Sequence, residues 1–338
     1  MADPCYPSCP LLEYLRIWRI DHWLKNIFII FGHAAALVLV LGFDPPAHGM
    51  EWSEFLSKAA LSLVPACFIA SANYILNEIL DAPFDAMHPT KRNRGIPAGK
   101  VAVPFLWFHM AILVVVGFGL AWMWFPNIGY LEALALLLVS GFIYNVPPVR
   151  LKDRAYLDVI AESFNNPIRL WLGWFAVVPP APYEGPLQAL LAVPLSIVLA
   201  WWFFGALLMT GKRYAEFRFI DDAELSGRYR KSFRTYTQRR LIMAMVMYAC
   251  LFCFCAGIAM ATRAPLSNLV FVFPMILVAL YAYFNHAMSE VGARLEPEQL
   301  LQNKWIILAT AATSGLALWL LTTDLPLLEW TGFLGRRP

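Results

Sequence analysis

Asn77-Glu78-Ile79-Leu80-Asp81-Ala82-Pro83-Phe84-Asp85 closes an apolar stretch over 57–80, and His88-Pro89-Thr90-Lys91-Arg92-Asn93-Arg94 follows it at once. Residues four apart stack on one helix face, so Asn77, Asp81 and Asp85 form a column with Glu78 beside it. Acids near bilayer depth are costly and are read first as functional. These acids also close a helix whose dipole already makes that end negative, so a cation is needed to offset them. An all-oxygen set suits Mg²⁺, which usually arrives with phosphates. Asn77, Glu78, Asp81 and Asp85 are therefore candidate Mg²⁺ ligands, against the plainer reading of a solvated helix end. Pro83 is expected to end or bend the helix.

Working outward, the 338 residues are 60% hydrophobic and only 14% charged, with mean hydropathy +0.58. Soluble domains carry about 25% charged residues, so this is a membrane protein. Nine apolar segments are expected: 27–43, 57–80, 105–125, 130–147, 157–178, 187–211, 241–261, 268–285 and 305–322. Most reach the roughly 17–25 residues that span a bilayer as helix. The fold class is all-α and polytopic. Residues 1–26 read as an interfacial segment, with Leu11, Leu12, Leu15, Trp18 and Trp23 alternating with Arg16, Arg19 and Lys25. Residues 27–322 form the single membrane domain and 323–338 a tail. No cleavable signal peptide is evident.

Of the 26 Lys and Arg residues, only Lys58, Arg263, Arg336 and Arg337 fall on one side of this topology, and Arg169 lies inside a segment. The rest crowd the other side, which places the N-terminus and the basic loops in the cytoplasm and the C-terminus outside. This asymmetry needs no nucleic acid to explain it. The cysteines show no metal pattern, and those in apolar segments read as packing residues.

Three further stretches carry candidate chemistry. The cations Lys91, Arg92 and Arg94 suit a phosphate held by metal on one side and by cations on the other. Positive-inside bias alone is the alternative. The run Tyr144-Asn145-Val146-Pro147-Pro148-Val149-Arg150-Leu151-Lys152 leads into Asp158, Glu162, Asn165, Asn166 and Arg169. On a helical wheel those five share a polar stripe, facing either a site or an internal Arg169 ion-pair network. The stretch Gly211-Lys212-Arg213-Tyr214-Ala215-Glu216 opens a long loop carrying Arg218, Arg228, Arg230, Lys231, Arg234, Arg239 and Arg240. That density favours anion binding over charge bias.

The Asn-x-x-x-Asp-x-x-x-Asp run at 77–85, the Tyr-x-x-Pro-Pro-x-Arg-x-Lys run at 144–152 and the segment count resemble the UbiA superfamily of intramembrane prenyltransferases. The resemblance implies helices around a central cavity, a cytoplasmic cap from the loops after the second and sixth segments, and Mg²⁺ at the acidic motif. Aromatic prenyltransferases of that superfamily carry Asp where Glu78 stands, and a second Asp-x-x-x-Asp motif where this chain has Lys212 to Glu216. The change resembles the polyprenyl-phosphate phosphoribosyltransferase branch. So do His22-Trp23-Leu24-Lys25-Asn26, the 88–94 run, and Arg230-Lys231-Ser232 with Tyr236-Thr237.

That branch implies transfer of 5-phosphoribose from PRPP to a polyprenyl phosphate, releasing diphosphate, in a bacterial cytoplasmic membrane and for cell-wall biosynthesis. Asp81, Asp85, Lys91, Arg92 and Lys152 would act on the leaving diphosphate. Lys25, Arg169, Lys212 and Arg213 would hold the lipid phosphate or the 5-phosphate. Asn77, Arg94, Tyr144, Asp158, Glu162, Asn166, Glu216, Arg230 and Lys231 would line the substrate site. The nucleophile is ionised at neutral pH, so no general base is expected. Membrane lipids surround the chain, and a homo-oligomer is compatible with it. The competing readings are prenyl transfer to an aromatic or other small acceptor and, from another class, transport of an anionic solute.

Overall fold

The computed structural model describes residues 10–86, 91–178, 187–220, 231–289 and 303–323. Among them there is no strand. The helices are α1 (Pro10–Ile17), α2 (Ile30–Leu39), α3 (Trp52–Leu61), α4 (Leu63–Asp85), α5 (Val103–Trp124), α6 (Ile128–Asn145), α7 (Leu157–Ser163), α8 (Asn165–Val177), α9 (Leu195–Ile220), α10 (Gln238–Thr262), α11 (Phe273–Met288) and α12 (Lys304–Thr322). A 3-10 helix, Ile20–Ile29, joins α1 to α2.

Eight stretches of described helix are long and apolar enough to cross a membrane, from Glu13–Leu39 and Trp52–Asp85 to Lys304–Thr322. Eight of the nine expected segments are thus present as span-length helix. The segment expected over 157–178 is instead divided at Phe164 into the short helices α7 and α8. Asn165, Asn166 and Pro167 follow the break, a composition that favours helix starts over helix interiors. Large apolar side chains such as Val115, Trp122, Phe254 and Leu308 are exposed, as a lipid-facing surface requires.

Two other boundaries differ from expectation. The helix α4 continues through Pro83 to Asp85, and the Ala86 N–H donates to the Ala82 carbonyl. Pro83 lies in the last turn, where only one internal bond is forfeited, so the acidic column stays wholly helical. The stretch 211–220, expected to open a loop, is instead the last part of α9.

The chain packs into two compact units. The first holds the described residues of Met1–Leu37, Asp44–Ala161 and Ile168–Ala192. Its core joins Ile17, Ala72, Ile75, Leu76, Val101, Leu106, Met110 and Leu113 from α1, α4, α5 and the loop before α5. Within it α2 crosses α8 at Gly32 and Gly173. A Cβ on Gly32 would meet the Leu170 carbonyl oxygen at 2.1 Å, and one on Gly173 would meet that of Ile29 at 2.0 Å. Only glycine lets two membrane helices approach so closely. The second unit holds the described residues of Val38–Phe43, Glu162–Pro167 and Val193–Pro338. It is built on the pairing of α9 with α10, where Ala200, Cys255 and Ala256 pack together.

Candidate active site

The last three turns of α4 carry Asn77, Glu78, Asp81 and Asp85. Glu78 and Asp85 are buried. Each carboxylate is met by a cation from elsewhere in the first unit. Arg94 donates from Nη1 to Asp85 Oδ2 at 2.8 Å and lies 3.5 Å from Glu78 Oε2. Lys152 Nζ donates to Asp81 Oδ1 at 2.5 Å, to Asn77 Oδ1 at 3.1 Å and to Asn145 Oδ1 at 2.8 Å. Arg150 Nη2 adds a bond to Asp81 Oδ1 at 2.9 Å, and its Nε lies 3.3 Å from Asp153 Oδ2.

The loop after α6 makes this convergence. Arg150 sits in the left-handed region at φ 31°, which non-glycine residues rarely adopt. Its side chain is held from three directions, since Nη1 also donates to the Asn145 carbonyl. Two residues on, Lys152 points to the same carboxylate. Asn145 braces Lys152 while its own Nδ2 donates to the Gly141 carbonyl at 2.9 Å.

These placements sort the expected site residues. Asn77, Glu78, Asp81, Asp85, Arg94 and Lys152 come together. Arg92 is exposed on the short 3-10 helix Lys91–Asn93. Arg230 lies outside the described residues, as do His88, Pro89 and Thr90. Tyr144 is half-buried beside Asn145, and Lys25 is half-buried in the 3-10 helix before α2. Asp158 is fully buried in α7. Lys231 is exposed at the start of a 3-10 turn.

The expected polar stripe does not remain one surface. In the first unit Arg169 Nε donates to Asn26 Oδ1 at 3.0 Å. In the second, Arg213 is fully buried, pairs with Glu162, and donates to Glu216 Oε2 at 3.1 Å. Asn166 packs its amide against Gly205 of α9. Lys212, next to Arg213, is half-buried. Arg213, expected to hold a phosphate, thus faces two carboxylates in this structure. A buried cation between two acids is a helix-joining arrangement.

Arg150, Asn145 and Asn26 were quoted in motifs without being nominated. The available signal was two cations two residues apart in a Pro-Pro loop; the left-handed backbone at Arg150 and the 3-10 turn Leu151–Asp153, which bring both to Asp81, are not legible from that spacing. Nothing local marked Asn26 as the partner of a residue far along the chain.

The UbiA prenyltransferase family model matches residues 28–307. The chain belongs to the UbiA prenyltransferase family. It is 29% identical over 325 residues to a decaprenyl-phosphate phosphoribosyltransferase of Mycobacterium tuberculosis, covering 91% of this chain and 96% of the relative. A decaprenyl-phosphate phosphoribosyltransferase of Mycolicibacterium smegmatis is 27% identical, over 76% of this chain and 72% of its own. In fold it is similar to a UbiA homolog from Archaeoglobus fulgidus bound to GPP and Mg²⁺, with TM-score 0.64, 15% identity, and 92% and 100% of the two chains covered. This UbiA-family member is therefore an integral membrane transferase, which removes the solute-transporter reading.

The donor chemistry of the α4 face fits a hard divalent ion. Asn77 Oδ1 and Asp81 Oδ1 already share one cation, the Lys152 ammonium. Among the described residues no cluster of three His, Cys, Asp or Glu side chains closes around a single point. An ion here would take its remaining ligands from water and from a bound diphosphate, as Mg²⁺ commonly does.

Proposed function

We propose that this chain transfers 5-phosphoribose from PRPP to a polyprenyl phosphate in a Mg²⁺-dependent reaction at the cytoplasmic face of the membrane. The observation that carries the reading is the charge arrangement of the α4 face. An oxygen-only column is met by Arg94, Arg150 and Lys152, a set that can pass from carboxylates to phosphate oxygens without new charges being recruited. The relatives named as decaprenyl-phosphate phosphoribosyltransferases support the choice of donor and acceptor. So does the second unit, where Glu162 and Glu216 are engaged by Arg213 rather than left to bind a second metal.

Asn77, Glu78, Asp81 and Asp85 would hold Mg²⁺, which when bound supplies positive charge to the diphosphate leaving group. Lys152 and Arg150 orient that diphosphate and stabilise the charge that grows on it, the effect that often contributes most to catalysis. Arg94 does the same beside Asp85 and Glu78. The bond from the anomeric carbon to the diphosphate oxygen breaks with both electrons leaving on the diphosphate. A lipid phosphate oxygen supplies the electron pair of the new C–O bond. No residue need remove a proton, because that oxygen is already ionised.

The test is purified protein in detergent or nanodiscs with labelled PRPP, a polyprenyl phosphate and Mg²⁺, with EDTA as control. Labelled lipid that forms only with Mg²⁺ is expected. Absence of labelled lipid, with consumption of a prenyl diphosphate and an aromatic acceptor instead, overturns the reading in favour of prenyl transfer.

A further inference from the structure

Lys152 is carried by a loop, and its long flexible stem loses much freedom when the ammonium is held in one place. That ammonium donates to Asn77 Oδ1 at 3.1 Å, to Asp81 Oδ1 at 2.5 Å and to Asn145 Oδ1 at 2.8 Å. The first two acceptors belong to the acidic column and are oxygens that a divalent ion would also use. Asn145 does not belong to it. It is the last residue of α6 and is buried. A lysine ammonium only donates and a backbone carbonyl only accepts, so the Asn145 amide has one orientation. Its Oδ1 faces Lys152, and its Nδ2 donates to the Gly141 carbonyl at 2.9 Å. The Asn145 carbonyl in turn accepts from Arg150 Nη1 at 3.2 Å.

Gly141 is itself fixed against α4. A Cβ on Gly141 would lie 2.1 Å from Asn73 Oδ1, and Asn73 Nδ2 donates to the Leu137 carbonyl at 2.8 Å. Asn73, Asn77 and Asp81 are four apart on α4, and Leu137, Gly141 and Asn145 are four apart on α6. Each set therefore lies on one helix face. The two faces meet in register: Asn73 stands against Leu137 and Gly141, and Asn77 is joined to Asn145 through Lys152. Among the described residues no donor meets Asn73 Oδ1. A buried acceptor left so costs stability, and packing alone does not account for an asparagine there.

We propose that Asn145 is a positioning residue for Lys152, and that Asn73 seated on Gly141 keeps it in register with the acidic column. Of the three acceptors, Asn145 is the one that stays with Lys152 when Asn77 and Asp81 serve a metal ion. The ammonium then keeps a fixed oxygen and has its remaining hydrogens for the leaving diphosphate. An aspartate at position 145 would cancel the ammonium's charge, and an aliphatic residue would release it. An amide aims the cation without neutralising it. The inference rests on the reading of Lys152 as a ligand of the leaving diphosphate. That group is common to PRPP and to a prenyl diphosphate, so the positioning role does not depend on which of them is the donor.

The test is a double-variant cycle read by binding. Inorganic diphosphate with Mg²⁺ is titrated into purified wild type, Asn145→Leu, Lys152→Met and the double variant, and Kd is measured. Asn145→Leu is expected to raise Kd about tenfold, the loss of one hydrogen bond to a charged group. The double variant is expected to bind like Lys152→Met alone, because Asn145 acts through the lysine. In the turnover assay Asn145→Leu lowers kcat about tenfold and leaves the KM for polyprenyl phosphate unchanged. Asn73→Ala, a change that a helix tolerates, is expected to raise Kd about threefold in wild type and not at all in Lys152→Met. An unchanged Kd in Asn145→Leu overturns the proposal. So do effects of Asn145→Leu and Lys152→Met that multiply in the double variant, which would make Asn145 a structural residue only. Asn73→Ala that binds like wild type overturns the part of the proposal that reaches α4. An unchanged Kd in Lys152→Met removes the lysine from the diphosphate and the inference with it. Diphosphate binding that depends on Asn145 through Lys152, in a protein that fails to use PRPP, would overturn the donor assignment and leave the positioning role standing.

Discussion

Replacing Lys152 with Met deletes an ammonium that serves Asn77, Asp81 and Asn145 at once, from a side chain only 9% exposed. Removing one member of a buried ion pair costs about 3–5 kcal/mol. Asp81 is 23% exposed and keeps Arg150 at 2.9 Å, so part of its charge stays compensated. The expected loss is therefore about 2–3 kcal/mol, which for a chain of this length lowers the melting temperature by roughly 3–4 °C. Asp81→Asn alone leaves two cations facing a neutral amide and is destabilising in its own right. The double variant removes one charge of each sign, so its loss is smaller than the sum of the two singles, by about 1–2 kcal/mol. Turnover of Lys152→Met falls by about a hundredfold or more, as when one preorganised donor to a leaving group is lost. The assay is thermal unfolding in detergent for the three variants, beside initial rates of lipid labelling. Additivity of the two single variants within about 0.5 kcal/mol would show that Lys152 and Asp81 are not coupled, and the placement of the loop after α6 would be wrong.

Asp85→Asn and Asp81→Ala should each abolish Mg²⁺-dependent turnover, and turnover that survives either change removes the metal assignment. Arg213→Met should destabilise by about 2 kcal/mol by removing the buried cation that the half-buried Glu162 and Glu216 share, with partial recovery when Glu162→Gln is added; melting curves of the two proteins decide this. Gly173→Ala places a methyl group against the Ile29 carbonyl, which the backbone cannot yield cheaply. A loss of about 2–3 kcal/mol is expected. A Gly173→Ala protein that melts like wild type would show that the close crossing of α2 and α8 is not required.

The acidic column was legible because a four-residue period needs only the helix to be real. The length and apolarity of α4 secure that, and Pro83 falls too late to undo it. The membrane class and most of the spans were legible on the same ground. The break at Phe164 was harder to see. Residues 157–178 are apolar enough to read as one span, yet Asn165, Asn166 and Pro167 at their centre are residues that begin helices. The mistaken loop at 211–220 has a related cause: Lys212, Arg213 and Glu216 look solvated in sequence, whereas in α9 the i, i+3 spacing lets Arg213 and Glu216 pair along the helix.

By itself, the sequence determined that this protein is a bundle of membrane helices with an oxygen-rich face at the end of α4 and an excess of cations near it. Periodicity and composition are local quantities, and these features are local. Tertiary structure alone decided which cation meets which acid. Arg94 reaches back to Asp85, Lys152 crosses to Asp81, Arg213 is consumed by Glu162 and Glu216, and Arg169 is left with an amide. Charge pairing acts over a few ångströms between residues tens of positions apart, so it follows from helix crossings such as Gly32 on Gly173 and not from spacing along the chain.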